Sequence, residues 1–268
     1  MKRILIPTDF SENAQKAIDY ALGLIEGKEC TVYILHAYHG VPTAVGNKTT
    51  TKKQLKQLVE DLQSKKNTNH SFKSVFETDS VINLVNKTVI DKEIDFVFMG
   101  TRGSSAVRQM LIGGNTTDVL KHLATCPVIA VPDGFPAHLP LEVAFATDFK
   151  YAFNKEQLQP LVMLSELCNA NLNIVHIKAE KNLSDEQLQN KENLVVHLQH
   201  LAPRLKEVPM EDTIAESLRN YVRENPMIGL VALLKTKHGY FKKLFREPVV
   251  RKMIFQAEVP LLVLPMLR

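Results

Sequence analysis

Four glycines lie within fifteen residues of the first half of the chain. An apolar run over residues 96–99 ends at Gly100, Gly103 follows two residues further on, and nine residues separate it from the pair Gly113 and Gly114. Glycine lets the backbone approach a ligand closely, and the N–H groups at the start of a helix attract anions. Because the whole chain holds only 11 glycines, this concentration favours a phosphate-binding loop over an ordinary turn.

The spacing of these glycines excludes two common phosphate-binding patterns. No lysine follows Gly114, as it would in a P-loop, and Asn115 and Thr116 come next instead. The nine-residue interval is also too long for the dinucleotide fingerprint. The loop is therefore predicted to hold phosphate with backbone donors at the start of a helix.

An aspartate follows a second apolar run at the amino terminus. Asp9 comes just after residues 3–7, as Gly100 comes just after residues 96–99. In parallel α/β sheets, ligands bind beyond the carboxyl ends of strands, where the strand order reverses. If these two strands are neighbours there, the Asp9 carboxylate can accept hydrogen bonds from a ribose or from the adenine amino group. The alternative for Asp9 is a turn or helix-capping role.

The pattern around this site occurs twice. The segment Leu5–Phe10 resembles Ala144–Phe149, which places Asp9 and Asp148 139 residues apart, and His36 matches His176 at an offset of 140. Such offsets indicate a duplicated domain, not a short repeat. We predict domains at residues 1–135 and 141–268, joined by a linker rich in proline and glycine.

Alternating apolar runs and amphipathic segments predict an α/β fold with five strands in each half. Parallel strands joined by helices form a doubly wound, Rossmann-like sheet that is covered on both faces. Side-chain oxygens at helix starts accept backbone N–H bonds, and the predicted N-caps are Ser11, Ser80, Asn154 and Ser184. The predicted strands lie near residues 3–7, 31–38, 71–77, 96–99, 128–131, 143–147, 172–177, 231–234 and 261–264.

Composition limits the function classes. Hydrophobic residues make up 45% and charged residues 23% of the chain, as in ordinary globular domains. The formal net charge of +4 argues against nucleic acid as a partner, and no apolar run approaches the length of a membrane span. Three cysteines in unrelated contexts predict thiols in a reducing cytoplasm: Cys30, Cys126 and Cys168.

The residues at the two strand ends, followed by the spaced glycines, resemble the universal stress protein family in its ATP-binding branch. The resemblance covers essentially the whole chain in the tandem form. It implies an adenine nucleotide alpha hydrolase-like fold. It also implies that the two domains pair as an internal pseudo-dimer, and it leaves open a further homodimer of the chain. The implied ligand is ATP, ADP or AMP, alone or with Mg²⁺. The nucleotide contacts it implies are Pro7, Thr8, Asp9, Ala37, Met99, Gly100, Arg102, Gly103, Gly113, Gly114, Asn115 and Thr116.

Two departures from the family pattern affect these expectations. The family usually has Ser or Thr directly after the last glycine of the motif, where this chain has Gly114, so one phosphate hydrogen bond is expected to be lost. In the second copy, Glu247 and Pro248 stand at the helix start. Proline lacks an N–H and a carboxylate repels phosphate, so we expect one nucleotide per chain, in the first domain. A basic cluster with interleaved aromatic residues, beginning at Lys235, is predicted to be a solvated loop, with an anion-binding surface as the alternative.

No catalytic constellation and no metal site is recognisable in the sequence. His197 and His200 lack a third ligand at zinc-site spacing. The predicted function is a stress-response switch or regulator that binds ATP or another adenine nucleotide. The alternatives are a slow ATPase or nucleotidyl-transfer enzyme, and an interaction scaffold with a vestigial site.

Overall fold

The computed structural model describes residues 2–38, 47–65, 69–101, 114–136, 138–235 and 258–265. The chain divides into two compact units, Met1–Asp133 and Gly134–Arg268, called here the first and second unit. None of the helices within the described residues is long and apolar enough to cross a membrane.

The first unit is a parallel five-stranded sheet with the strand order β3-β2-β1-β4-β5. The order reverses between β1 and β4, which pair directly. Its elements are β1 (Lys2–Pro7), α1 (Glu12–Leu24), β2 (Cys30–Ala37), α2 (Lys48–Ser64), β3 (His70–Glu77), α3 (Val81–Asp91), β4 (Phe96–Gly100), α4 (Gly114–His122) and β5 (Val128–Val131).

The second unit repeats this arrangement, with the order β10-β9-β6-β7-β8. A short 3₁₀ turn, Gln199–Leu201, precedes β8. Its elements are β6 (Glu142–Ala146), α5 (Lys155–Cys168), β7 (Asn171–Lys178), α6 (Asp185–Leu198), β8 (Arg204–Pro209), α7 (Ile214–Glu224), β9 (Ile228–Leu234) and β10 (Leu261–Leu264). The predicted fold class, two tandem doubly wound α/β domains, is confirmed.

All four predicted N-caps are present. The Ser11 and Ser80 side chains accept backbone N–H bonds at the starts of α1 and α3. Asn154 and Ser184 form reciprocal capping boxes with Gln157 and Gln187 at α5 and α6. These bonds satisfy backbone N–H groups that have no partner within the helix, and each cap contributes about 1 kcal/mol to the free energy of unfolding.

The central strands of each unit form its core because they are apolar on both faces. In β1, Leu5 and Ile6 are fully buried, and all seven residues of β9 are buried. Continuous burial of this kind is typical of parallel sheets with helices on both sides. In β1 the polar residues Lys2 and Arg3 stand at the amino end, and the candidate site lies beyond the carboxyl ends of the strands.

Candidate functional site

The carboxyl ends of β1, β2 and β4 bring three predicted site residues to one face of the first sheet. Pro7 pairs with Leu35, and Leu5 pairs with Val97. Residues two apart on a strand share a face, so Ala37 and Met99 lie on the face that Pro7 occupies. All three are buried. This register supplies an apolar surface at the point where the strand order reverses.

Asp9 lies in a tight turn two residues beyond Pro7. The Ser11 backbone N–H donates to Asp9 Oδ1 over 3.1 Å, and the Phe10 N–H donates to Thr8 Oγ1 over 3.0 Å. Phe10 has a φ of 64°, an uncommon conformation for a residue with a side chain. Asp9 therefore has the turn role that the sequence left open, and the residue is half-buried.

A histidine on β2 fixes the same turn from the neighbouring strand. His36 Nδ1 lies 2.8 Å from the Thr8 carbonyl oxygen. Its ring stacks on Phe10, with 4.8 Å between ring centroids. The ring and the hydrogen bond together hold the β1–α1 turn against β2.

The second unit contains the same turn. The Phe149 N–H donates to Thr147 Oγ1, the Lys150 N–H donates to Asp148 Oδ1, and Phe149 has a φ of 56°. His176 Nδ1 lies 3.1 Å from the Thr147 carbonyl oxygen. The turn is therefore a common element of both copies and is not by itself a sign of nucleotide binding.

The surroundings of the two turns differ. In the second unit, α6 covers the turn with side-chain amides: Gln187 donates to the Asp148 carbonyl oxygen and Asn190 to that of Phe149, over 2.8 and 2.9 Å. Phe149 is only 1% exposed, whereas Phe10 is half-buried. The turn is thus more enclosed in the second unit than in the first.

Gly100 ends β4 against the start of α1. A Cβ atom at this position would lie 2.5 Å from Asn13 Oδ1 and 2.7 Å from the Asn13 carbonyl oxygen. Backbone atoms cannot move aside as the tip of a side chain can. The first glycine of the motif is therefore required by the packing of α1, a reason that the sequence did not reveal.

Helix α4 begins at the other end of the glycine-rich segment. Gly114 and Asn115 are exposed in its first turn, whereas Thr116 is only 4% exposed. The Thr116 hydroxyl donates to the Gly100 carbonyl oxygen over 2.8 Å. This bond brings the N-terminus of α4 to the end of β4, so its exposed backbone N–H groups lie at the same edge of the sheet as Asp9.

Three predicted site residues, Arg102, Gly103 and Gly113, lie outside the described residues, and their contacts remain predictions. The same holds for Glu247 and Pro248 and for the basic cluster beyond Lys235. Lys235 itself follows β9, and burial lowers the pKa of its ammonium group from 10.5 to about 8.

The described residues contain no group of three His, Cys, Asp or Glu side chains that could hold a metal ion. His200 Nε2 lies 3.9 Å from Glu166 Oε1. Cys30 and Cys126 are buried free thiols. Burial raises the pKa of both, and it raises the pKa of Cys168 to about 12, which makes these thiols poor nucleophiles.

The fold and the strand-end turns define a tandem, doubly wound α/β protein. A model of the Universal stress protein family matches residues 1–132. Residues 1–132 belong to the universal stress protein family, and the second unit repeats their fold in a tandem arrangement.

Known relatives agree with this assignment. A universal stress protein from Thermus aquaticus is 26% identical over 136 residues, which are 48% of this chain and 98% of that protein. A universal stress protein from Methanothermobacter thermautotrophicus is 28% identical over 141 residues, covering 47% of this chain and 92% of that protein. These relatives therefore correspond in length to one of the two repeats.

A solved structure extends the likeness to the whole chain. The crystal structure of a universal stress protein from Archaeoglobus fulgidus covers 98% of this chain and 96% of its own, with a TM-score of 0.68 and 17% identity. At this identity the match shows a shared fold.

Proposed function

We propose that the first unit binds ATP or another adenine nucleotide at the carboxyl edge of its sheet and acts as a stress-response switch. The observation that carries the proposal is the bond between Thr116 and Gly100, because it joins the start of α4 to the end of β4, the strand beside β1. The proposed anion site and the Asp9 turn would thus share one edge of the sheet.

The residues at this edge match the base, the ribose and the phosphates of a nucleotide in their chemistry. The apolar face of Pro7, Ala37 and Met99 suits a purine base, and the Asp9 carboxylate can accept hydrogen bonds from hydroxyl or amino groups. The exposed N-terminus of α4 suits phosphate, because its N–H groups and helix dipole favour negative charge. Mg²⁺ would accompany the phosphates as their counter-ion.

A binding role suits this edge better than a catalytic one. Phosphoryl transfer needs a group that positions the attacking nucleophile, and we propose that Asp9, the candidate acid at this edge, binds the ribose or the base instead. We therefore propose that the nucleotide is a regulatory ligand and that any hydrolysis is slow.

We also propose that each chain binds one nucleotide. In the second unit, the amide side chains of Gln187 and Asn190 enclose the turn around Asp148. These contacts leave less room for a ligand at the turn.

We propose in addition that the two units pair as an internal pseudo-dimer, as the apolar closing strands β5 and β10 suggest from the sequence. Exposed sheet edges need cover, and a partner unit within the same chain would supply it.

The test of the main proposal is native mass spectrometry of the full chain, followed by calorimetric titration with ATP, ADP and AMP. We expect a stoichiometry of one nucleotide per chain. Two equivalent sites would contradict the single-site proposal. No binding of any adenine nucleotide would overturn the function and favour a scaffold with a vestigial site.

A further inference from the structure

Thr116 is assigned to phosphate by family resemblance, yet its hydroxyl has an internal partner. It donates to the Gly100 carbonyl oxygen over 2.8 Å, and the residue is 4% exposed. A hydroxyl carries one hydrogen to donate. While this bond holds, Thr116 cannot donate the same hydrogen to a phosphate oxygen.

The end of β4, which carries this carbonyl, is also packed against α1 and bonded to β5. Asn13 is 4% exposed, and a Cβ added to Gly100 would lie 2.7 Å from the Asn13 carbonyl oxygen. The Thr101 N–H donates to Val131 over 3.0 Å, which ties the next residue to β5. The end of β4 therefore has little freedom to move relative to α1 and β5.

The bond joins residues that are 16 apart in the sequence. The bond therefore holds the start of α4 against the end of β4. A ligand that binds groups already held in place loses less entropy on binding.

We infer that Thr116 is a positioning residue for the phosphate end of the nucleotide: its bond to Gly100 sets the N-terminus of α4 at the correct distance from the end of β4. The phosphates are then bound by the backbone N–H groups at the start of α4, not by the Thr116 hydroxyl. This inference rests on the proposed function.

Thr116→Val removes the hydroxyl at nearly constant volume, and the chain offers a matched control. Thr117 is the next residue of the same helix and is also buried, with 7% exposure, so Thr117→Val makes the same chemical change beside the proposed contact. Both full-length variants are titrated with AMP, ATP and adenosine, and circular dichroism checks their fold.

We expect Thr116→Val to weaken AMP and ATP binding about tenfold while adenosine binding stays within twofold of the parent chain. Thr117→Val should leave all three affinities near the parent values, and Thr116→Ser, which keeps the hydroxyl, should restore AMP and ATP binding. A general loss of structure would instead lower adenosine affinity as well.

Three results would overturn the inference: unchanged AMP and ATP affinity in Thr116→Val, an equal loss in Thr117→Val, or an equal loss of adenosine affinity. If Thr116→Val does not fold, Thr116→Ala is tested by the same criteria, and failure of both to fold would assign Thr116 to the fold alone. Failure of the parent chain to bind any adenine nucleotide would overturn the proposed function itself, which separates the two outcomes.

Discussion

Gly100 and Leu234 end the equivalent strands of the two units, yet only one of them carries a side chain. Gly100 pairs with Val131 at the end of β5, and Leu234 pairs with Leu264 at the end of β10. The N-cap of the next helix also differs: Ser11 is two residues after Asp9, whereas Asn154 is six residues after Asp148. In the first unit, the short turn after β1 brings Asn13 against Gly100. In the second unit, the longer turn after β6 occurs together with a leucine at the equivalent strand end.

The contact between Gly100 and Asn13 predicts the cost of adding a methyl group. Gly100→Ala should lower the free energy of unfolding by about 1–3 kcal/mol, as overpacking typically does. Urea unfolding followed by circular dichroism measures it. Gly23→Ala is the control, since a Cβ there meets nothing within 4 Å, and in helix α1 alanine should stabilise by about 0.5–1 kcal/mol. A neutral Gly100→Ala variant would contradict the packing argument.

The two aspartates of the repeated turn allow a matched test of the site. Asp9→Asn keeps an oxygen that can accept the Ser11 N–H bond but removes the charge, so ATP affinity should fall about tenfold with little loss of stability. Asp148→Asn makes the same change in the second unit and should leave ATP affinity unchanged. Calorimetric titration compares them, and equal effects of the two substitutions would argue against a single site in the first unit.

Gly114 offers a gain-of-affinity test. A Cβ at this position meets nothing within 4 Å, so Gly114→Ser can restore the hydroxyl that the family usually carries there. We expect ATP to bind about fivefold more tightly, which corresponds to one additional hydrogen bond of about 1 kcal/mol. Gly114→Ala tests the side chain without the hydroxyl and should give no such gain. Equal ATP affinities of the Gly114→Ser and Gly114→Ala variants would show that the phosphates do not contact this residue.

Lys235 predicts a pH dependence of stability. Burial lowers the pKa of its ammonium group to about 8 from 10.5, so the unfolded chain binds more protons between these values. The contribution of Lys235 to stability therefore increases as pH rises through this window and is least favourable below pH 8.

Lys235→Met should accordingly stabilise the protein at pH 7, with a smaller gain at pH 9.5, as measured by urea unfolding at each pH. Lys181→Met, at an exposed position, is the control and should show no comparable change between the two pH values. A gain for Lys235→Met that is the same at both pH values would show that the ammonium is not desolvated in the folded state.

Local sequence patterns were sufficient for most of the fold. Apolar runs located β1 to within a residue at each end, and they located the carboxyl end of β9 but began that strand at residue 231, three residues after its start at Ile228. Ser11 and Asn154 were recognised as caps because capping depends on neighbours only three residues away. β8 was not located. Five of its six residues, Arg204–Pro209, are not buried but exposed, so the strand lacks the apolar periodicity that identifies buried strands.

The duplication, the strand ends and the glycine-rich segment could all be predicted from the sequence, because each is a pattern of neighbouring residues or a repeat of one. Which of these residues come into contact depends on the folded structure. The bond from Thr116 to Gly100 and the approach of Asn13 depend on strand order and on how two helices pack against β4. Such contacts join residues far apart in the chain, and local propensity and spacing do not specify their distances.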